Sequence, residues 1–335
     1  TFTMTALPGT PAIQNAIPMP FFGTTPFAAP GLGIIASAIM FGFGIWWLQR
    51  AVTAAVRAGE GFGDLPPPPA IPLAEDPLLR ERAVHTGEFD PSEIAQGART
   101  DTPPPVALAL LPLIVVVAVN LAMSLFVLPR LDLSFLAEVR WGETSLEGVG
   151  GVWSVVTALA CAIATVLVLH RRRLPALRET MDAGANASVL PALSVASLVG
   201  FGAVVAALPA FEIVREAVLG IGGGPLVSMA AAVNVLAALT GSASGGLTIA
   251  LDALVPTYLA RAAEIGMDPS LLHRVAVIGS GTLDSLPHNG AIVTLLAVCG
   301  STHRESYRDI VMVGIVSAVI ALVAVIVLGS MFGSF

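Results

Sequence analysis

The chain contains no lysine, and no charge of either sign occurs before Arg50. Charged residues make up 12% of its 335 positions, 16 arginines against 23 carboxylates, where a water-soluble domain carries about a quarter. So few ionised groups cannot coat a water-facing surface of this size. With 55% apolar residues and a mean hydropathy of +0.85, the dominant solvent is lipid. The net charge of −7 and the absence of any lysine cluster exclude a basic patch for nucleic acid. Cysteine is nearly missing too. Cys161 and Cys299 each sit in an apolar run, where a small buried hydrophobe is expected rather than a disulfide or metal ligand. There is no His/Cys spacing suited to a metal, no GxxxxGK[ST] loop and no GxSxG elbow. The chain is expected to need no metal and no organic cofactor, and to be no enzyme.

What the sequence does contain is long apolar segments. A charge-free helix of about 20 residues crosses the hydrocarbon layer, and residues 27–48, 106–128, 152–169, 186–209 and 310–329 match that length. Between the first two, residues 49–105 hold 14 charged side chains and two proline runs, 66–69 and 103–105, which predicts an extended, cytoplasmic, Pro-rich acidic loop. Positively charged flanks stay on the cytoplasmic side of a membrane. Placing the cluster Arg171, Arg172, Arg173 and Arg178 inside puts 11 of the 16 arginines in 49–105, 170–185 and 300–308 and leaves five for the outer segments. That topology closes only if 226–239 and 247–259, at 14 and 13 residues, form a re-entrant hairpin instead of two crossings. The predicted fold class is an all-α polytopic protein, multi-pass in a cell's inner membrane. Residues 1–48 hold a first broken segment and its following helix, 49–105 the loop, and 106–185 two spanning helices with an arginine-rich loop. Residues 186–335 hold a spanning helix, the hairpin (226–259), a broken helix (275–299) and a last spanning helix.

The break in 275–299 is the run from Ser280 to Gly290, where Gly281, Pro287 and Gly290 interrupt an apolar segment beside several hydrogen-bonding side chains. A continuous helix would not tolerate it, and the freed peptide groups must face a substrate, an ion or water. The run from Thr3 to Ile13 echoes it: a shift of 279 positions pairs Thr3 with Thr282, Leu7-Pro8 with Leu286-Pro287 and Ala12-Ile13 with Ala291-Ile292. By the arginine count the two segments run in opposite directions through the membrane. Paired broken helices in inverted halves point to the midplane site of a secondary transporter.

Candidate site residues follow from those breaks. Thr5, Thr10, Gln14 and Asn15 at the first break, and Ser285 and Asn289 at the second, carry hydroxyls and amides suited to a substrate carboxylate or hydroxyl, and the two sets are expected to face each other. The hairpin tip supplies Ser242, Ser244, Gly245 and Gly246, which either cradle an anion on backbone N–H groups or permit tight packing. Asp284 and His288 are ionisable groups at membrane depth, kept mainly for pathways and proton relays, and either is suited to carry a coupled proton. Asp252 is an alternative proton carrier, and Asn120 is expected to bond between helices. Few fixed cations lie near the breaks, so a polar rather than arginine-based anion site is expected. A polytopic enzyme using Asp284, Ser285 and His288 would leave the first break without a purpose.

The runs Thr3 to Asn15 and Phe21 to Thr25, the Gly241 to Gly246 tip and the stretch Leu283 to Gly290 together resemble the GntP family of gluconate and hydroxy-acid permeases, over nearly the whole chain outside 49–105. The resemblance is better to the hydroxybutyrate-permease-like branch than to the gluconate permeases proper, which differ at Leu7–Gln14 and at Asp284–Asn289. It implies membership of the ion transporter superfamily, with inverted repeats and an elevator-like mechanism. It also implies proton-coupled symport of a small organic anion, gluconate or a hydroxy acid such as 3-hydroxybutyrate, by a protein that often forms homodimers in the lipid. Family members extend upstream of the point where Thr1 falls, so the chain resembles an N-terminally truncated permease. A sodium-coupled citrate or dicarboxylate permease, with Na⁺ held by unwound carbonyls and hydroxyls, is the alternative.

Overall fold

The computed structural model describes residues 6–59, 105–171, 177–289 and 301–335, with the single positions 174, 292, 295 and 296. Thr5, Arg172, Arg173, Cys299 and nearly all of the acidic loop lie outside the described residues. Within them every regular element is helical. The protein is an all-α polytopic membrane protein. Among the described residues five helices are long and apolar enough to cross a membrane: Pro30–Ala58, Val106–Arg130, Val149–Leu169, Ala243–Glu264 and His303–Phe332.

Two short helices open the described chain, α1 (Ile13–Ala16) and α2 (Pro18–Phe22), followed by α3 (Pro30–Ala58). Proline starts α3 at a position whose N–H needs no helical partner, and Gly59 ends it with φ 72°. The helix runs ten residues beyond the predicted boundary at 48, because the Ala-rich stretch after Gln49 favours helix and Arg50 and Arg57 can reach water from its end. Next come α4 (Val106–Ala122), extended by a π-helical turn at Met123–Val127, and α5 (Leu146–Leu169), which pack on each other through Val116, Ala158 and Ala162. The expected span 186–209 overlaps α6 (Leu177–Ala206) but runs three residues past its end, to the first residue of α7 (Pro209–Leu219), and α6 is not among the five candidate spans.

The centre of the molecule is a helical hairpin, α8 (Gly224–Thr240) and α9 (Ala243–Glu264), packed with α10 (Pro269–Thr282). Two thirds of the apolar window of α9 is buried inside the protein, against 11–33% for the other four long helices. Lipid touches α9 little. Its 22 residues exceed the 13 counted from the apolar run, because the Ser242 cap and the small residues after it extend the helix beyond its hydrophobic part. Two helices joined by a tight turn stand where the re-entrant hairpin was expected, but the premise that both arms are too short to cross fails for α9. Last come α11 (His303–Ile310), a π-helical stretch at Val311–Val316 and α12 (Ser317–Phe332).

Two end contacts orient the helices. Trp47 donates from Nε1 to Asp309 at 2.9 Å and its ring lies under Arg308, so the end of α3 and the start of α11 share one face. At the other end, the Gly31 N–H donates to the Phe335 carbonyl at 2.6 Å, and Ser334 donates to Asp268, the N-cap of α10. The segment α1–α2 ends at this second face, where Thr24 meets His273 near the start of α10. Ala6 and Asn15 meet the same opening turn of α10, so residues 6–28 wrap around its start.

Candidate functional site

The first break is the turn from Leu7 to Ala12. Gly9 takes φ 76° and donates to the Pro26 carbonyl at 2.9 Å, while Thr10 Oγ1 accepts the N–H of Ala12 at 3.1 Å. Asn15 lies at 0% exposure behind the turn. Its Nδ2 donates to the carbonyls of Thr10 and Pro26 at 3.0 and 3.1 Å, and its Oδ1 faces His273 Nε2 at 3.3 Å and Arg274 Nη1 at 3.4 Å. Every hydrogen-bonding position of this amide is used by the protein itself. Since a carbonyl oxygen only accepts, His273 carries its proton on Nε2 and, as a neutral ring, accepts the Thr24 hydroxyl on Nδ1 at 2.6 Å.

Arg274 is also at 0% exposure. Its guanidinium donates to the carbonyls of Ala6, Pro26 and Ala28, the Ala6 bond measuring 3.0 Å. No carboxylate pairs with it among the described residues. The sequence reading placed Arg274 with the outer-loop arginines and found few cations near the breaks; both points are corrected here. It is a core residue whose planar fork suits several carbonyls at once. The signal was available, an ionisable His-Arg pair entering the apolar run 271–279. Asn120, also at 0% exposure, donates to the Gly9 carbonyl at 3.2 Å, so it bonds to the break, not only between helices.

The second break begins where α10 ends at Thr282. Asn289, at 1% exposure, joins three parts of it: its Nδ2 donates to the Gly241 carbonyl at the hairpin tip and to Asp284 Oδ1, both at 2.7 Å. Ser285 is at 1% exposure and its hydroxyl has no hydrogen-bond partner. The exposed His288 donates from Nε2 to the Ala238 carbonyl at 2.9 Å. From the other side Tyr307 donates to the Ser285 carbonyl at 3.2 Å and His303 to that of Pro287 at 3.0 Å. Asp284 and His288, four residues apart, are each bonded elsewhere, an arrangement with no shared proton path between them.

At the tip, Ser242 caps α9: its hydroxyl accepts the Gly245 N–H at 3.2 Å and its carbonyl the Gly246 N–H at 2.9 Å. Those glycines cannot also cradle an anion in this arrangement. A Cβ on Gly246 would lie 2.2 Å from the Ala237 nitrogen, so tight packing is the reading that fits. Ser242 and Ser244 share a hydroxyl contact at 3.2 Å, and Gln14 is half-buried. Asp252 keeps one carboxylate oxygen buried and unpaired midway along α9.

The two breaks are not one polar set. The first is bonded to His273 and Arg274 in the opening turns of α10, the second to the hairpin tip at its far end, and from His273 to Thr282 a helix rises about 13 Å. The expectation that Asn15 and Asn289 face each other is corrected: Arg274 draws the carbonyls of the first break toward the start of α10.

A wide comparison with curated proteins adds a relative. The chain is 37% identical over 338 residues to the uncharacterized transporter YxjC of Bacillus subtilis strain 168, an alignment that covers 97% of this chain and 67% of that protein. The chain belongs to this transporter family. No protein-family profile and no solved structure matches it. For a member of a transporter family, the most informative features are the two polar breaks, one of them tying a carboxyl to the hairpin tip through Asn289.

Proposed function

We propose that the protein is a secondary active transporter of the cell's inner membrane that moves a small organic anion together with protons. The observation that carries this reading is the seat of Asp284: a carboxyl in a helix break, tied to the hairpin tip by the Asn289 amide and followed in the chain by the buried, unpartnered Ser285 hydroxyl. Such a group can hold or release a proton where a substrate would bind. Ser242, Ser244, Ser285 and Gln14 are the side chains we assign to the substrate. Asn289 orients Asp284, while Thr10 and Asn15 hold the first break in shape. The resemblance to the GntP permeases supports a gluconate or hydroxy-acid substrate such as 3-hydroxybutyrate, an elevator-like cycle between inverted halves, and a homodimer.

A sodium-coupled citrate or dicarboxylate permease is the second reading, favoured by the all-oxygen character of the Asp284 and Ser285 side chains. Liposomes holding the full-length protein separate the two. Asp284→Asn is expected to abolish accumulation driven by a pH gradient while leaving substrate exchange. Undiminished accumulation would remove Asp284 from coupling, and uptake that depends on sodium instead of the pH gradient would favour the second reading.

A further inference from the structure

One ionisable side chain of α9 has no part in either break. Asp252 is the tenth residue of 22, midway along a helix long and apolar enough to cross a membrane and two thirds buried inside the protein. Its Oδ2 is buried without a hydrogen-bond partner. Its backbone carbonyl is short of a donor as well, because the residue four positions on is Pro256, which has no N–H to close the helical bond. Residue 252 therefore gathers acceptors and meets no donor. One turn toward the hairpin tip, on the same face, stands Thr248. It is 3% exposed and donates its hydroxyl proton to the Ser244 carbonyl at 2.9 Å, so its oxygen is left only to accept.

Among the described residues no positive charge pairs with Asp252. The elements packed against α9 are α1, α2, α6, α8 and α10. Of these, α1, α2 and α8 contain no ionisable residue, and those of α6 are confined to its first six positions, where the exposed Arg178 faces Asp182 at 3.8 Å. From α10 come His273 and Arg274, at about the depth of Asp252 but both committed elsewhere: His273 to Thr24 and Asn15, Arg274 to the carbonyls of Ala6, Pro26 and Ala28. On α9 itself Tyr258 shares a hydrogen bond with Ser228 at 2.7 Å, Arg261 turns to the Leu219 carbonyl at 3.0 Å, and Glu264 ends the helix. A carboxylate at membrane depth with neither a cation nor a donor is costly. Protonation removes the charge and supplies the one donor that this position lacks.

We propose that Asp252 binds a second proton with each anion, so that the cycle carries two protons per monovalent anion and moves one net positive charge inward. This rests on the reading of the protein as a proton-coupled anion transporter in which Asp284 takes the other proton. A single helix joins the two places: the first turn of α9 belongs to the hairpin tip, and Asp252 lies about 13 Å further along. At that distance, with an effective dielectric constant of about 20, an ionised Asp252 weakens the binding of an anion at the tip about ten-fold. By reciprocity an anion bound there raises the proton affinity of Asp252 by the same factor, and its departure lowers it again. The proton is taken up outside with the anion and given up inside when the anion leaves.

Liposomes holding the full-length protein and labelled 3-hydroxybutyrate or gluconate read the proton count directly. In the first condition valinomycin and equal potassium hold the membrane potential at zero. Two protons then set a limit of about hundred-fold accumulation for one pH unit, and one proton a limit of about ten-fold. In the second condition the pH is equal on both sides and a potassium diffusion potential makes the inside negative. The unmodified protein is expected to accumulate the anion up to about hundred-fold in the first condition, and about ten-fold for each 59 mV in the second. Asp252→Asn keeps the size and polarity of the side chain but exchanges no proton. It is expected to reach only about ten-fold in the first condition and to lose the response to potential, and Asp252→Glu to restore both. Accumulation driven by potential alone in Asp252→Asn would overturn the proposal. So would loss of accumulation under both forces in that variant, or an unmodified protein that answers the pH gradient and not the potential. An unmodified protein that accumulates neither anion under a pH gradient would sink the transport reading itself.

Discussion

Asn15, His273 and Arg274 form one polar knot in an apolar core, and its hydrogen bonds are internal. Arg274 is the member on which most depends, since its guanidinium donates to carbonyls on both sides of the first break. Removing it leaves buried carbonyls unpaired, each costing about 1–3 kcal/mol. Arg274→Met is expected to lower stability by about 3 kcal/mol or more, read as an earlier thermal transition in detergent. Arg274→Lys should not restore it, because a point charge cannot reach the carbonyls that a planar fork spans; a lysine variant as stable as the parent would show that charge alone matters. The sequence could reveal which residue types crowd the breaks, but not which were already satisfied. Asn15 and Asn289 look alike on paper. One is spent on folding and the other orients a carboxyl, and that difference lies in contacts 258 and 48 residues away along the chain.

At the level of elements, the hairpin and the second break were legible, since small residues between two apolar runs and a proline within a third leave few alternatives. Helix lengths were less so. Apolar runs mark the greasy part of a helix, while Ser242, Asp268 and the small residues near the caps decide where it starts. At Gly246 the backbones of α8 and α9 approach so closely that a side chain has no room. Gly246→Ala would set a methyl 2.2 Å from a backbone nitrogen, forcing the arms apart, and a loss of about 1–3 kcal/mol or more is expected; an unchanged melting transition would mean that the arms are not packed so closely. The cap of α10 gives a pH effect. Partial burial pushes the Asp268 carboxyl up, but the Ser334 hydroxyl and the Ser270 N–H and hydroxyl donate to it and hold it below its usual range. A carboxyl held low contributes stability above its unfolded value and loses it as pH falls through its folded one. The contribution of Asp268 should therefore fade below about pH 4, and Asp268→Asn, which still caps, should flatten that acid limb of the melting curve without much loss at pH 7.

For the whole molecule, composition alone placed the chain in a membrane, and the arginine count assigns an inner face. The Trp47–Asp309 and Gly31–Phe335 contacts set α3 opposite in direction to α11–α12. Correcting Arg274 from loop to core removes one of the five arginines that counted against the topology. Hidden from the sequence was the spacing of the breaks: a register of matched residues says that two segments are alike, not that they meet. Here α10 separates them, and Asp284, the carboxyl proposed for coupling, sits with the hairpin tip. The central claim is that this site couples proton entry to the movement of an organic anion. Its most direct test is uptake of labelled 3-hydroxybutyrate and gluconate by liposomes holding the full-length protein, under an imposed pH gradient without sodium. The account predicts accumulation of one or both that collapses on adding a protonophore; uptake of neither, or uptake indifferent to the protonophore, would contradict it.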